Sequence, residues 1–261
     1  MCQWDPRDYE QHASEQRRWA RELVAGLGLR GDERILDIGC GDGAVTAEIA
    51  AMVPGGRVVG LDSSAAMVAH ACSRHAAGAH PALSFVTGDA RRLPFDAEFD
   101  LVVSFACLHW VDDHAAVLGG IRRTLVPGGR LLLQFGGRGN AQAVVEVIDV
   151  LTREPAWRGF FEGFRFPYTF PAPDEYRGLM LAAGLTPSRV ELVHKDMRHG
   201  GGEGLAGWIR TTWLPYLERL PAERREEFVA AVVDRYVAGR PPQRDGAVIV
   251  PMVRLEVEGS R

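Results

Sequence analysis

Lysine is nearly missing from this chain of 261 residues: of thirty basic side chains only Lys195 is a lysine, and the others are arginine. Almost every positive charge is therefore a planar, permanently ionised fork matched to carboxylates and phosphates, although biased coding in a GC-rich genome produces the same composition. Long apolar runs are missing as well. The longest, at 101–111 and 131–135, fall far short of the roughly 18 to 20 residues that cross a bilayer, which excludes a membrane-spanning helix. Trp4, Asp5, Arg7, Asp8 and Glu10 stand where an export signal would carry a basic start and an apolar stretch, so a cytoplasmic protein is expected. Cysteine is scarce and scattered. Cys2, Cys40, Cys72 and Cys107 form no C-x-x-C pair and have no companion histidine spacing, which argues against a structural zinc or a disulfide framework. Finally, there is no excess of positive charge. A net charge of −4 disfavours a protein that holds duplex nucleic acid by neutralising phosphates.

What is present is ordinary globular composition, 46% hydrophobic and 25% charged, in a length that suits one elaborated domain or one domain with a modest cap. Apolar spacing predicts a helix at 14–27, a strand at 34–38, a glycine turn, and a helix at 44–52 stopped by Pro54-Gly55-Gly56. The unit repeats with a strand at 57–61, a serine-capped helix at 65–75, and strands at 83–86, 99–106 and 130–135, the last opened by Pro127-Gly128-Gly129. Strands alternating with helices across short joins imply an α/β fold, a doubly wound and mostly parallel sheet with right-handed crossovers. Ligands of such sheets lie beyond the carboxyl ends of the strands, where the acids and glycines of this chain fall.

After residue 136 the pattern changes. Trp157, Phe160, Phe161, Phe164, Phe166, Tyr168 and Phe170 crowd into fourteen residues between prolines. This stretch either closes the edge of the core or forms an aromatic lid over a cleft. A helix at 174–183, a strand at 189–197, helices at 205–220 and 222–238 and a strand at 247–257 follow. The two helices between the last strands predict a helical cap at about 203–240. The expected division is 1–33 as an N-terminal helix and flap, 34–135 as the cofactor-binding core, and 136–261 as the rest of the sheet with aromatic insertion and cap.

Gly39-Cys40-Gly41-Asp42-Gly43, set between a strand and a helix, is a loop whose small residues let backbone N–H groups approach a ligand. With Ala44 it satisfies the dinucleotide pattern, and Asp62 lies where a ribose-binding acid is expected, so NAD is one reading. Three features weigh against it: Asp37 before the loop, a third strand ending in Asp89, and the Phe105 turn together with the Pro-Gly-Gly entry. In order, Asp37-Ile38-Gly39-Cys40-Gly41-Asp42-Gly43, Gly60-Leu61-Asp62-Ser63-Ser64, Gly88-Asp89-Ala90, Phe99-Asp100-Leu101-Val102 and Pro127-Gly128-Gly129 resemble the motifs of the class I S-adenosylmethionine-dependent methyltransferases. The resemblance implies a seven-stranded sheet and S-adenosyl-L-methionine as cofactor. It also implies roles: Gly39 and Gly41 facing the methionine moiety, Asp37 near its ammonium, and Asp62 with Ser63 on the ribose. Met67 would lie against the adenine, Asp89 and Ala90 at its amino edge, and Phe105 and Tyr9 beside the cofactor.

Trp4-Asp5-Pro6, Tyr9, Arg17, Leu108-His109-Trp110-Val111 and Gly207-Trp208-Ile209-Arg210-Thr211 with Trp213 resemble the trans-aconitate methyltransferase branch, whose members esterify small carboxylic acids. A carboxylate acceptor is ionised at pH 7 and needs no general base, whereas a phenol or amine would benefit from one, and His109 is the candidate. His109 is alternatively an orienting donor or a turn residue packed on Trp110. Arg210 is the candidate to grip an acid, or a plain amphipathic-helix arginine. Trp4 belongs to a flap over the site or to a hydrophobic staple, and Trp110, Trp208 and Trp213 are candidate acceptor-side walls. The fourth strand ends Ser104-Phe105-Ala106-Cys107, without the Asn/Asp-Pro-Pro-aromatic turn of many adenine and glutamine methyltransferases, which lowers a macromolecular acceptor. A cofactor-binding module without activity is the remaining alternative. The expectations are thus a small-molecule acceptor, no nucleic acid, membrane or metal partner, and a monomer or homodimer.

Overall fold

The computed structural model describes residues 14–75 and 82–261, the Ser14 side chain excepted. Trp4, Tyr9 and the expected flap lie outside the described residues. The described chain forms two compact units, one of residues 14–138, 168–193 and 254–261 and the other of 139–167 and 194–253.

The sheet has seven strands: β1 (Arg34–Ile38), β2 (Arg57–Asp62), β3 (Leu83–Thr87), β4 (Phe99–Phe105), β5 (Leu125–Gly136), β6 (Thr186–His199) and β7 (Val248–Ser260), in the order β3-β2-β1-β4-β5-β7-β6. The first five pair in parallel, and β7 runs antiparallel to β5. Chain order reverses direction beside β1, so the carboxyl ends of β1 and β4 open a crevice there.

Period-two alternation divides the sheet into two faces, each buried under its own core. Leu36, Val102, Leu131, Leu133, Phe135 and Leu255 enter one core. Ile35, Leu101, Val103, Phe105 and Leu132 enter the other, with Ala20 and Val24 of α1 (Ser14–Ala25) and Ile49 and Ala50 of α2 (Ala44–Met52). Asp37 pairs in register with Val103, which puts the acid on the α1/α2 face, in what is otherwise an apolar layer.

Capping chemistry sets the crossovers. Ser64 Oγ accepts from the Met67 N–H (3.3 Å) at the start of α3 (Ala65–Arg74), and Asp113 Oδ1 accepts from the Ala116 N–H (2.9 Å) at the start of α4 (His114–Thr124). In this unit the structure departs from the local reading at the start of the fifth strand and matches it at the helix expected at 174–183. β5 begins at Leu125 and takes in Pro127-Gly128-Gly129, with a register shift against β4 between Phe99 and Leu101. The segment after it contributes α6 (Pro173–Ala182), whose Glu175 carboxylate accepts from the Ala172 N–H (2.9 Å).

In the second unit α5 (Gln142–Arg153), which the sequence reading did not include, packs on the long α9 (Ala222–Gly239). Between them in sequence, α7 (Gly201–Thr212) starts four residues before the expected Leu205, and the one-turn α8 (Leu214–Leu217) follows it. The front of the aromatic stretch belongs to this core: Trp157 and Phe161 pack on Phe228 (5.1 and 5.6 Å between centroids), and Phe164 packs on Tyr216 (4.7 Å). Tyr168 and Phe170 fall in the first unit instead.

Candidate active site

Gly39 ends β1 in a left-handed conformation, φ +79°, and a Cβ there would lie 2.2 Å from Cys107 Sγ. Only glycine lets the chain turn here against the end of β4. The Gly39 and Cys40 N–H groups both donate to the Leu61 carbonyl (2.6 and 3.1 Å), which fastens the loop to β2. Beyond β4, Ala106 is also left-handed, φ 52°, a strained state for a residue with a Cβ, and its N–H donates to Gln134 O at 2.8 Å. These two turns face each other across a cavity walled by Asp37, Gly39, Cys40, Gly41 and Asp42, by Val45, Phe105 and Ala106, and by Gln16, Arg17 and Ala20 of α1.

Two carboxylates, Asp37 and Asp42, line this cavity, and a third, Asp62, is tied to its wall through the Gly41 N–H. Asp37 is fully buried, its Oδ2 accepting from Thr46 Oγ1 at 2.7 Å. Burial, reinforced by the Asp62 charge and opposed by the Thr46 hydroxyl, pushes its carboxyl up to about 7. Asp62, at the end of β2, is held by backbone: Gly41 N–H donates to Oδ2 (3.0 Å) and Ser64 N–H to Oδ1 (2.8 Å). Burial raises its pKa, and the Ser64, Gly41 and Ser63 amides counter that rise. Asp42 Oδ2 pairs with Arg17 Nη2 while its Oδ1 accepts from the Ala44 N–H (3.2 Å) at the start of α2. Arg17 Nε is buried in the same wall with no hydrogen-bond partner among the described residues.

At the next strand end, the Gly88 N–H donates to the Asp62 carbonyl (2.9 Å), so β3 delivers Asp89 beside β2. Asp89 caps the turn Ala90–Arg92 by accepting from the Arg91 N–H (2.9 Å), and the Arg91 guanidinium grips it at 2.8 Å. That guanidinium lowers the Asp89 pKa. Ala90 and Met67 are buried, and Ser63 is exposed.

His109 sits in the short turn Leu108–Trp110 after β4 and is 7% exposed. Its ring lies among Trp110 (5.7 Å), Phe170 (6.1 Å) and Tyr168 (6.3 Å), and its carbonyl accepts from the Thr169 N–H at 2.9 Å. The Gly136 N–H points at its Nδ1 from 3.5 Å, a long hydrogen bond that makes Nδ1 the acceptor and leaves the proton on Nε2. Burial first, then the charges of Arg254 and His114, hold its pKa well below the ordinary value, so the ring is neutral.

In the other unit, Trp208 and Trp213 are buried and meet edge to face at 5.9 Å, with His199 5.4 Å from Trp208. Arg210 makes a two-pronged ion pair with Glu226 of α9, 2.9 Å from Nε and 2.7 Å from Nη2. Its fork is turned to a protein carboxylate.

Residues 35–129 match a methyltransferase domain. Over 98% of its length the chain is 32% identical to the trans-aconitate 2-methyltransferase of Methylobacterium nodulans, 97% of which is covered, and 32% identical to that of Azoarcus sp., 98% of which is covered. The chain belongs to the trans-aconitate 2-methyltransferase family. It is a class I S-adenosylmethionine-dependent methyltransferase. Its fold is also that of the YcgJ protein from Bacillus subtilis, with a TM-score of 0.64 at 19% identity over 93% of this chain and 97% of that one.

The cavity of the methyltransferase suits its cofactor. It is lined by the carboxylates of Asp37 and Asp42, a buried guanidinium nitrogen of Arg17, and a loop whose closest approach only glycine permits, groups that match the charged ends of an amino acid. Four positions named from sequence, Asp37, Gly39, Gly41 and Phe105, come together in its wall, and Asp62 is tied to it through Gly41. Gln16 and Ala106 were not singled out from sequence. A glutamine on an amphipathic helix and an alanine after a strand carry no local signal of a ligand.

Proposed function

We propose that this methyltransferase esterifies a carboxylate of a small acid, and that Asp37, Gly39, Gly41, Asp62, Ser63, Met67, Asp89, Ala90 and Phe105 hold the cofactor. S-adenosylmethionine, when bound, supplies a methyl group on a sulfonium whose departure leaves a neutral thioether. The protein's tasks are then alignment and exclusion of water. The walls of Phe105, Ala106 and Cys40 exclude water, and the backbone-held Asp62 is rigid before any ligand arrives.

The observation that carries the acceptor class is the state of His109. A neutral ring that accepts at Nδ1 carries its proton on Nε2, so that nitrogen is a donor. A donor suits an acceptor that is already ionised, and it cannot take a proton from a phenol or amine through that nitrogen. A carboxylate is ionised at neutral pH by its own pKa. The relatives, named for methylation of trans-aconitate, support the same class.

The test is a screen of labelled cofactor against polycarboxylic, fatty and aromatic acids, amines and phenols. Base-labile label on an acid is the expected result. Base-stable label confined to amines or phenols would reject the carboxylate reading and leave the cofactor assignment standing.

A further inference from the structure

One positive charge lines the cofactor cavity. Asp37 and Asp42 are the anions of its wall, and Arg17, carried by α1 across from the glycine loop, is the cation. The Arg17 side chain keeps 20% of its surface open, twice the share of Asp42. Asp42 Oδ1 accepts from the Ala44 N–H at 3.2 Å, which fixes the carboxylate at the start of α2, and its Oδ2 pairs with Arg17 Nη2. That engages a single nitrogen of the guanidinium. Nε has no hydrogen-bond partner among the described residues, so the protein meets only part of the fork and leaves it short of an acceptor. A donor left unpaired away from water is costly, and an acceptor brought by a ligand offsets that cost.

The place of this pair in the sheet decides which part of the cofactor lies beside it. Asp62 and Asp89, the acids placed for the nucleoside, end β2 and β3, whereas the cavity lies at the ends of β1 and β4. The amino-acid end therefore falls to the cavity. Asp37 and Asp42 match its ammonium, and the same acids repel its carboxylate unless a cation stands with them. We propose that Arg17 binds the α-carboxylate of the cofactor's amino acid and is the residue through which the site requires that end to be complete. This rests on the cofactor placement of the preceding section. Arginine can hold a carboxylate by two parallel N–H bonds, and Asp42 keeps this one in place before the ligand arrives. An acceptor carboxylate is the rival ligand. Arg17 shares its wall with Asp37, Asp42 and the glycine loop and not with His109, which favours the cofactor.

The experiment titrates the full chain by calorimetry with S-adenosylhomocysteine and with its decarboxylated analogue, in which hydrogen replaces the carboxylate and the amine is kept. Wild type should bind S-adenosylhomocysteine about 30-fold or more tightly than the analogue. Arg17→Gln should cut that preference to about threefold or less by weakening S-adenosylhomocysteine alone, and Arg17→Lys should keep part of it. Asp62→Ala, which tests the placement, should weaken both ligands and keep their ratio. An Asp62→Ala protein that binds both as wild type does overturns the placement of the preceding section. Equal wild-type affinity for the two ligands overturns the Arg17 assignment alone. So does an Arg17→Gln protein that keeps the wild-type preference, whether both affinities are intact, as an acceptor-binding role gives, or fall together, as a merely structural role gives. If Arg17→Gln does not fold, Arg17→Gln combined with Asp42→Asn removes both charges of the pair and is judged by the same ratio, because loss of Asp42 acts on the amine that both ligands share.

Discussion

The Thr46 hydroxyl donates to Asp37 Oδ2 at 2.7 Å inside an apolar layer, and among the described residues this is the one hydrogen bond given to a carboxylate that is 2% exposed. It does not balance desolvation, so the folded-state pKa, near 7, lies above the ordinary 3.8. The sign follows from linkage: a carboxyl raised on folding stabilises the native state below its unfolded pKa and loses that contribution as pH rises through the folded one. At about 1.4 kcal/mol per pKa unit the loss between pH 4 and pH 8 is at most about 4 kcal/mol. Asp37→Asn should therefore gain stability relative to wild type across that window in the absence of cofactor, while binding S-adenosylhomocysteine more weakly. Denaturant titrations of both proteins at pH 5 and 8 measure it, and a stability difference that ignores pH would refute the buried-charge account.

Gly39 and Cys107 are coupled by shape. An alanine at 39 meets Cys107 Sγ at 2.2 Å and also holds a φ of +79°. Overpacking costs about 1–3 kcal/mol and the strained backbone a similar amount. Gly39→Ala should thus lose several kcal/mol of stability and most cofactor affinity. Cys107 Cβ would lie as close as the sulfur, at 2.3 Å, so adding Cys107→Gly, not Cys107→Ala, should return the steric part only. A double-mutant cycle showing strict additivity would argue against the contact.

The core of this fold was legible because its signals are local. Arg34–Ile38 is a short apolar run, and the glycines after it sit at the positive φ that glycine alone adopts easily, so strand, turn and helix announce themselves together. The helix Gln142–Arg153 announces nothing at its start: Ala141 precedes it in a left-handed conformation with no side-chain cap, behind a glycine-rich run. Gly201–Thr212 begins in four residues of which three are glycine, so tertiary packing overrides propensity there. In the site, Asp37 and Asp62 were visible as acids at strand ends. Outside the cavity wall, the burial of Arg254 was not visible, because one arginine in a terminal strand carries no local signal of burial, and only the packing of Trp19 against it shows the charge to be inside. Arg210 is the converse: its place between two tryptophans suggested a ligand, and the structure turns it to Glu226.

Asp62 does two jobs that substitution can separate. Its Oδ atoms fix the Gly41 and Ser64 amides, and in the proposed placement of the cofactor the same group accepts from ribose hydroxyls. Asp62→Ala should weaken S-adenosylhomocysteine by well over the ~1.4 kcal/mol that marks tenfold. Asp62→Asn keeps one carbonyl acceptor and should fall between wild type and alanine. Calorimetry is the measurement, and an unchanged affinity in Asp62→Ala would sink the placement of the cofactor.

His109 separates an orienting donor from a base. A general base contributes about 10²–10⁴ in rate, and that contribution vanishes in glutamine, which has no group that titrates. A glutamine amide still donates a hydrogen bond, so His109→Gln should keep kcat/KM within about tenfold, a loss of ~1.4 kcal/mol, whereas His109→Phe should lose more. Because burial and Arg254 already keep the ring neutral, wild type should show no ionisation from His109 in kcat/KM from pH 6.5 upward. A thousandfold loss in His109→Gln would assign the proton-accepting role and favour a phenol or amine acceptor.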